Sequence, residues 1–170
     1  NFFPFWEKPP LFIWMQVLSM KVFGVNEFAA RFPNAMCGVA TLLMIFFAGT
    51  KMRNTKTAWL WVMLYAGSFL PQFYFHTGII DPWFNLFIFS AFFFFVLYLQ
   101  TPERSLRYLI FAAVFAGLAI LTKGPAAIII LGLALLVLQV RNKTKPLLAL
   151  SHFLLLVVLV WVMKLCLDTL

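Results

Sequence analysis

The segment Phe5-Trp6-Glu7-Lys8-Pro9-Pro10-Leu11 sets an acid beside a base in a chain where charge is scarce, with Asp, Glu, Lys and Arg making up 11% of 170 residues. An adjacent carboxylate and ammonium can move a proton, stabilise a growing charge or grip an anion. Pro9 and Pro10 hold the backbone extended just after the pair, and neither Glu7 nor Lys8 has an evident capping or helical-pairing role. A functional reading of Glu7 and Lys8 is therefore the stronger one.

Further polar residues stand at intervals along the chain. Glu27 and Arg31 are spaced i, i+4 with the acid first, the favourable order for a helical ion pair, and Pro33 then opens the next apolar stretch. Asp81-Pro82 has the form of a helix N-cap followed by proline, but a carboxylate at a membrane edge also needs a cation or an aqueous cavity, and His76 lies one short loop away. Lys123 precedes Gly124-Pro125, where a cation at a helix C-terminus and a stop signal explain it without any ligand. No His-x-x-His or paired-carboxylate spacing supports a dedicated metal cage. His152, Cys37 and Cys166 read as structural, the cysteines as small hydrophobes inside apolar runs.

The elements that must carry these residues are membrane helices. Hydrophobic residues are 64% of the chain and the mean hydropathy is +0.98. Runs such as 86–99 and 126–140 are apolar all round, which excludes the alternation of a transmembrane barrel and makes a soluble fold untenable. The fold class is all-α and polytopic, with about six spans by the usual span length, expected at 33–50, 57–76, 82–99, 105–122, 125–140 and 147–167. The Phe92-Phe93-Phe94-Phe95 run is core filler or lipid-facing surface rather than a cofactor box. The chain starts on Asn1 and ends on Asp168-Thr169-Leu170 directly after an apolar run, so an internal piece of a longer protein is expected.

Loop charge orients the spans. The net charge of +8 is concentrated in short loops at 50–56, 101–107 and 141–146, which the positive-inside rule assigns to the cytoplasm, and nucleic acid is not a suggested partner. Parity then puts the loops at 76–82 and 122–125 outside. The apolar run at 11–23 is ~20 Å long as a helix, short for a crossing, and letting it cross would invert every later loop. It is expected to lie as an interfacial helix on the outer surface, with Gln16, Ser19 and Lys21 as a weak polar face. Residues 1–32 thus form the end of an outer loop and 33–170 the spanning region. Glu7-Lys8, Glu27/Arg31, His76/Asp81 and Lys123 all fall on one membrane face.

In order along the chain, Phe5-Trp6-Glu7-Lys8-Pro9-Pro10-Leu11, Phe23 to Pro33 with its Arg31-Phe32-Pro33, Ile80-Asp81-Pro82 and Gly117 to Pro125 resemble the dolichyl-phosphate-mannose-protein mannosyltransferase superfamily, nearest its bacterial ArnT-like, aminoarabinose-transferase branch. The resemblance covers essentially the whole chain. It implies a GT-C membrane glycosyltransferase of the bacterial inner membrane, with its site facing the periplasm and a sugar donor carried on a polyprenyl phosphate. Glu7 and Lys8 match the family's acid-lysine pair in the first periplasmic loop, Arg31 its Arg-Phe/Leu-Pro arginine, Asp81 an aspartate at a periplasmic span end, and Lys123 the lysine before Gly-Pro. The family's upstream acidic motif has no counterpart in these residues, so a catalytic carboxylate is expected outside them and the piece alone is expected to be inactive.

What this implies chemically is leaving-group stabilisation. As a polyprenyl phosphate departs from an anomeric carbon, negative charge grows on its oxygen, and a cation fixed there favours the transition state over the ground state. Lys8 is the candidate, with Arg31 or Lys123 assisting. Glu7 could orient Lys8, hold the sugar or bind a divalent ion; no cofactor is required by the sequence. Asp81 and His76 are candidate substrate contacts. Expected partners are the lipid-linked donor, a lipid A-like glycolipid or protein acceptor, and membrane lipids. A transporter or flippase that binds its substrate with the same charges is the alternative, and it calls for charges near the bilayer midplane on broken helices. A scaffold that keeps the motifs for stability is the third.

Overall fold

A computed structural model describes residues 11–101 and 106–141, and every element among them is an α-helix. The helices are α1 Leu11–Phe23, α2 Glu27–Met52, α3 Thr55–Ala66, α4 Phe69–His76, α5 Asp81–Gln100, α6 Leu106–Lys123 and α7 Pro125–Arg141. Helices α2, α5 and α6 are long and apolar enough to cross a membrane. With 17 residues, α7 is ~26 Å long, at the short end for a crossing. The polytopic all-helical class stands on these elements. Glu7, Lys8, His152, Cys166 and the expected span at 147–167 lie outside the described residues. The structure divides into two compact units, one of Pro10–Leu86 and one that takes in Phe87 and the described residues after it.

In the first unit, α2 starts earlier than the expected span and runs through Pro33. Asn26 caps it, its side chain accepting the Ala29 N–H at 2.7 Å. Proline inside a helix leaves the carbonyl four residues back without its N–H donor, here that of Ala29. Ser19 Oγ of α1 donates to that carbonyl at 2.7 Å in a buried bond, and Gln16 Nε2 donates to the neighbouring Ala30 carbonyl at 3.3 Å. The polar residues of α1 are thus turned toward α2 rather than toward water, while Lys21 is exposed. Farther along, α2 crosses α3 at a small-residue contact: a β-carbon on Gly49 would stand 2.6 Å from Ala58 Cα.

The stretch expected as one span at 57–76 is two helices, with Gly67 and Ser68 between them. Pro71 is the physical reason. It has no N–H for the Gly67 carbonyl and its ring crowds that oxygen, so a continuous helix fails there. Side chains take up two other carbonyls beside the break: Ser68 Oγ donates to Leu64 O and Gln72 Nε2 to Ala66 O, both at 2.8 Å.

In the second unit, α5 and α6 meet through rings. Phe94 stacks on Phe115 at 5.7 Å with planes 3° apart and on Phe111 at 5.3 Å, while Phe95, Tyr98 and Ala112 form a buried cluster. The Phe-rich run is core filler. Small residues Ala112, Ala116, Gly117 and Ala119 give α6 a buried face on which neighbours can approach closely. Gly124, at φ +58°, ends α6, its N–H donating to Ile120 O at 2.7 Å.

Candidate functional site

The first unit brings the start of α2 against the loop between α4 and α5. Asn34, on α2 and fully buried, donates one amide hydrogen to the Thr77 carbonyl and the other to the Ile79 carbonyl, the latter at 2.7 Å. Gly78 sits between those carbonyls. A β-carbon there would stand 3.6 Å from Gln16 Nε2 and 3.7 Å from Ala30 O, so the loop rests on both α1 and α2. His76 immediately precedes this loop and Asp81 follows it, while Arg31 lies three residues before Asn34 on α2. Glu27, Arg31, His76 and Asp81, far apart in sequence, therefore share one end of the unit.

Each of these side chains has a local setting. Arg31 Nη2 reaches Glu27 Oε2 at 3.5 Å, with 60% of the Arg31 and 87% of the Glu27 side chain exposed, so the pair is loose and wet. The guanidinium keeps donors for a ligand. His76 is exposed, and its Nδ1 bonds the Gln72 carbonyl at 2.7 Å, which fixes that nitrogen as the proton carrier and leaves Nε2 as an acceptor in the neutral ring. Asp81 is half-buried in the first turn of α5. The first helical bond runs from Phe84 N–H to Ile80 O at 3.3 Å, so Ile80 occupies the cap position and Asp81 stands one residue inside it. The carboxylate still meets the positive end of the α5 dipole.

Lys123 belongs to the second unit, half-buried at the last residue of α6, where its charge suits the negative end of that helix. Among the described residues no three His, Cys, Asp or Glu side chains converge as metal ligands, and Glu7, the expected ligand for a divalent ion, lies outside them. The arrangement at the end of the first unit offers a solvent-exposed guanidinium for an anion and a helix-seated carboxylate for hydroxyl groups. Asn34 is the residue that sequence reasoning overlooked. Its signal was an amide placed directly after Arg31-Phe32-Pro33 at the head of an apolar stretch, where a polar side chain needs buried partners.

Comparison with known proteins gives a consistent picture. The sequence profile described as dolichyl-phosphate-mannose-protein mannosyltransferase matches residues 7–164. The undecaprenyl phosphate-alpha-4-amino-4-deoxy-L-arabinose arabinosyl transferase of Shewanella sediminis (strain HAW-EB3) is 29% identical over 126 residues, 73% of this chain and 23% of that protein. The crystal structure of ArnT from Cupriavidus metallidurans in the apo state superposes with a TM-score of 0.80 at 23% identity, covering 95% of this chain and 30% of that one. The same protein bound to undecaprenyl phosphate gives a TM-score of 0.67 at 21% identity, over 92% of this chain and 31% of that one. The likeness to these structures is one of fold. The chain spans about a quarter of the length of the curated relatives it matches.

Proposed function

The chain belongs to the dolichyl-phosphate-mannose-protein mannosyltransferase family, and on that premise we propose that it is part of a membrane glycosyltransferase using an undecaprenyl-type phosphate-linked sugar. The sugar passes to a lipid A-like or other acceptor at the periplasmic face of the bacterial inner membrane. The observation that carries this reading is the gathering of Arg31, His76 and Asp81 at one end of the first unit, at the loop that Asn34 holds. The relative named as an aminoarabinose transferase and the fold-mate bound to undecaprenyl phosphate suggest the donor class. The basic loops, including Lys51, Arg53 and Lys56, face the cytoplasm in this reading, and the gathered end faces outward.

Chemically, the anomeric C–O bond to the carrier breaks and its electron pair stays on the phosphate oxygen. Lys8 meets that charge, with Arg31 or Lys123 assisting, and Asp81 contacts the sugar or its acceptor. Glu7 orients Lys8 or holds a divalent ion. The broken α3–α4 stretch is the feature a transporter would need, but the break carries Gly67 and Ser68 and no charge, and the Leu64 and Ala66 carbonyls beside it are satisfied by neighbouring side chains. That favours the enzyme. In the full-length protein, Lys8→Ala should lower transfer from the lipid-linked donor by roughly 100-fold or more with membrane insertion intact. Turnover at the wild-type rate would remove Lys8 from the site.

A further inference from the structure

We propose that Asn34 is a positioning residue that sets Asp81 against Arg31, an inference that rests on the glycosyltransferase reading of this site. Its amide is fully buried and both its hydrogens are committed, to Thr77 O and Ile79 O. The orientation of the amide is forced, because turning it over would set Oδ1 against the same two carbonyls. Oδ1 makes no hydrogen bond among the described residues, so the side chain is held by its donors alone.

Gly78 in the segment it grips rests against Gln16 and Ala30, while the segment's other hydrogen bonds among the described residues are local. The Thr77 N–H and hydroxyl turn back to Tyr74 O, closing α4, and the Ile80 carbonyl is taken by Phe84 N–H, opening α5. Between these local bonds, Asn34 hydrogen-bonds the turn to α2. The tie reaches Ile79, two residues before Asp81, and starts from α2 one turn beyond Arg31. One amide therefore sets a guanidinium and a carboxylate carried by different helices in a common frame. Reaction rates respond steeply to such placement, a shift of about 1 Å costing as much as ~100-fold.

The test uses the full-length protein with Asn34→Leu, which keeps the bulk and loses both donors, and Asn34→Ser, which keeps one. Hydrogen exchange is followed by peptide mass spectrometry, and transfer is assayed with undecaprenyl phosphate-linked 4-amino-4-deoxy-L-arabinose as donor. Asn34→Leu should speed exchange of the Gly78–Asp81 amides at least tenfold and leave α3 and α6 unchanged. It should also lower kcat tenfold or more, with the donor KM within threefold, and Asn34→Ser should fall between Leu and wild type on both measures. Three results would overturn the proposal: unchanged exchange at Gly78–Asp81, a rise spread equally over α1–α3, or kcat within twofold of wild type. If the wild-type protein transfers no sugar from this donor, aminoarabinose falls as the donor sugar, and the exchange measurement still decides whether Asn34 holds the segment before Asp81.

Discussion

The α1–α2 contact and the α5–α6 pair join apolar helices by different means. The first uses side-chain donors on main-chain carbonyls, Ser19 on Ala29 and Gln16 on Ala30, and Asn34 ties the α4–α5 loop to α2 in the same way. The second uses Phe94 against Phe111 and Phe115, with Phe95 and Tyr98 beside them. In lipid, no hydrophobic driving force joins one helix to another, so packing and hydrogen bonds must do it. A ring stack sets the spacing of two helices but tolerates small slides. A hydrogen bond to one particular carbonyl does not. Arg31, His76 and Asp81 lie in the region held by the stricter device, as a site that needs fixed geometry requires.

The comparison is broken most directly at Ser19. Because Pro33 has no N–H, Ser19→Ala leaves the buried Ala29 carbonyl without its donor, and the full-length protein should lose about 2 kcal/mol of stability. Detergent titration of unfolding measures this. Limited proteolysis should cut more readily at Gly24-Val25-Asn26 as α1 loosens. A loss no larger than that of a ring substitution in α5 would mean that the polar ties add nothing to ordinary packing.

Features written in a few adjacent residues were legible in the sequence. The short helix after Pro10, the Lys123-Gly124-Pro125 stop and the filler role of the Phe run follow from local chemistry. The break at Gly67-Ser68 was missed because a hydropathy average over a span stays high across it, although Pro71 was in view. The inward turn of Gln16 and Ser19 has no signal in a sequence where Pro33 can open a helix, since the vacant Ala29 carbonyl exists only if α2 runs through Pro33. Asn34 is the hardest case. Its partners are 43 and 45 residues away, and nothing local marks them. The candidate site was legible as an ordered set of motifs, and the device that holds its described part was not.

A smaller effect is expected on the aromatic side. Phe94→Leu keeps an apolar residue at the α5–α6 contact and loses the two stacked rings, so stability should fall by about 1 kcal/mol. Sugar transfer should stay within about threefold, because the loss is one of spacing rather than of a fixed carbonyl contact. A drop in transfer as large as that of Asn34→Leu would show that the hairpin also sets the site.

The smallest effect belongs to Glu27→Gln. The Glu27–Arg31 pair is polar but differs from the Ser19 and Asn34 ties in being exposed, at 3.5 Å, with water competing for both groups. Exposed i, i+4 helix pairs are worth about 0.3–0.5 kcal/mol and weaken further with salt. Glu27→Gln also removes a negative charge from the first turn of α2, where it suits the helix dipole, for about 0.5 kcal/mol. The total should stay below about 1 kcal/mol and shrink on raising the salt concentration. In the proposed reading Arg31 assists at the donor phosphate, so freeing it from Glu27 should leave donor KM level or slightly lower in Glu27→Gln, whereas Arg31→Gln should raise it. If the two variants raise KM alike, the ion pair itself is what orders this end of the unit, and the distinction between exposed pairs and buried ties as positioning devices fails at its weakest point.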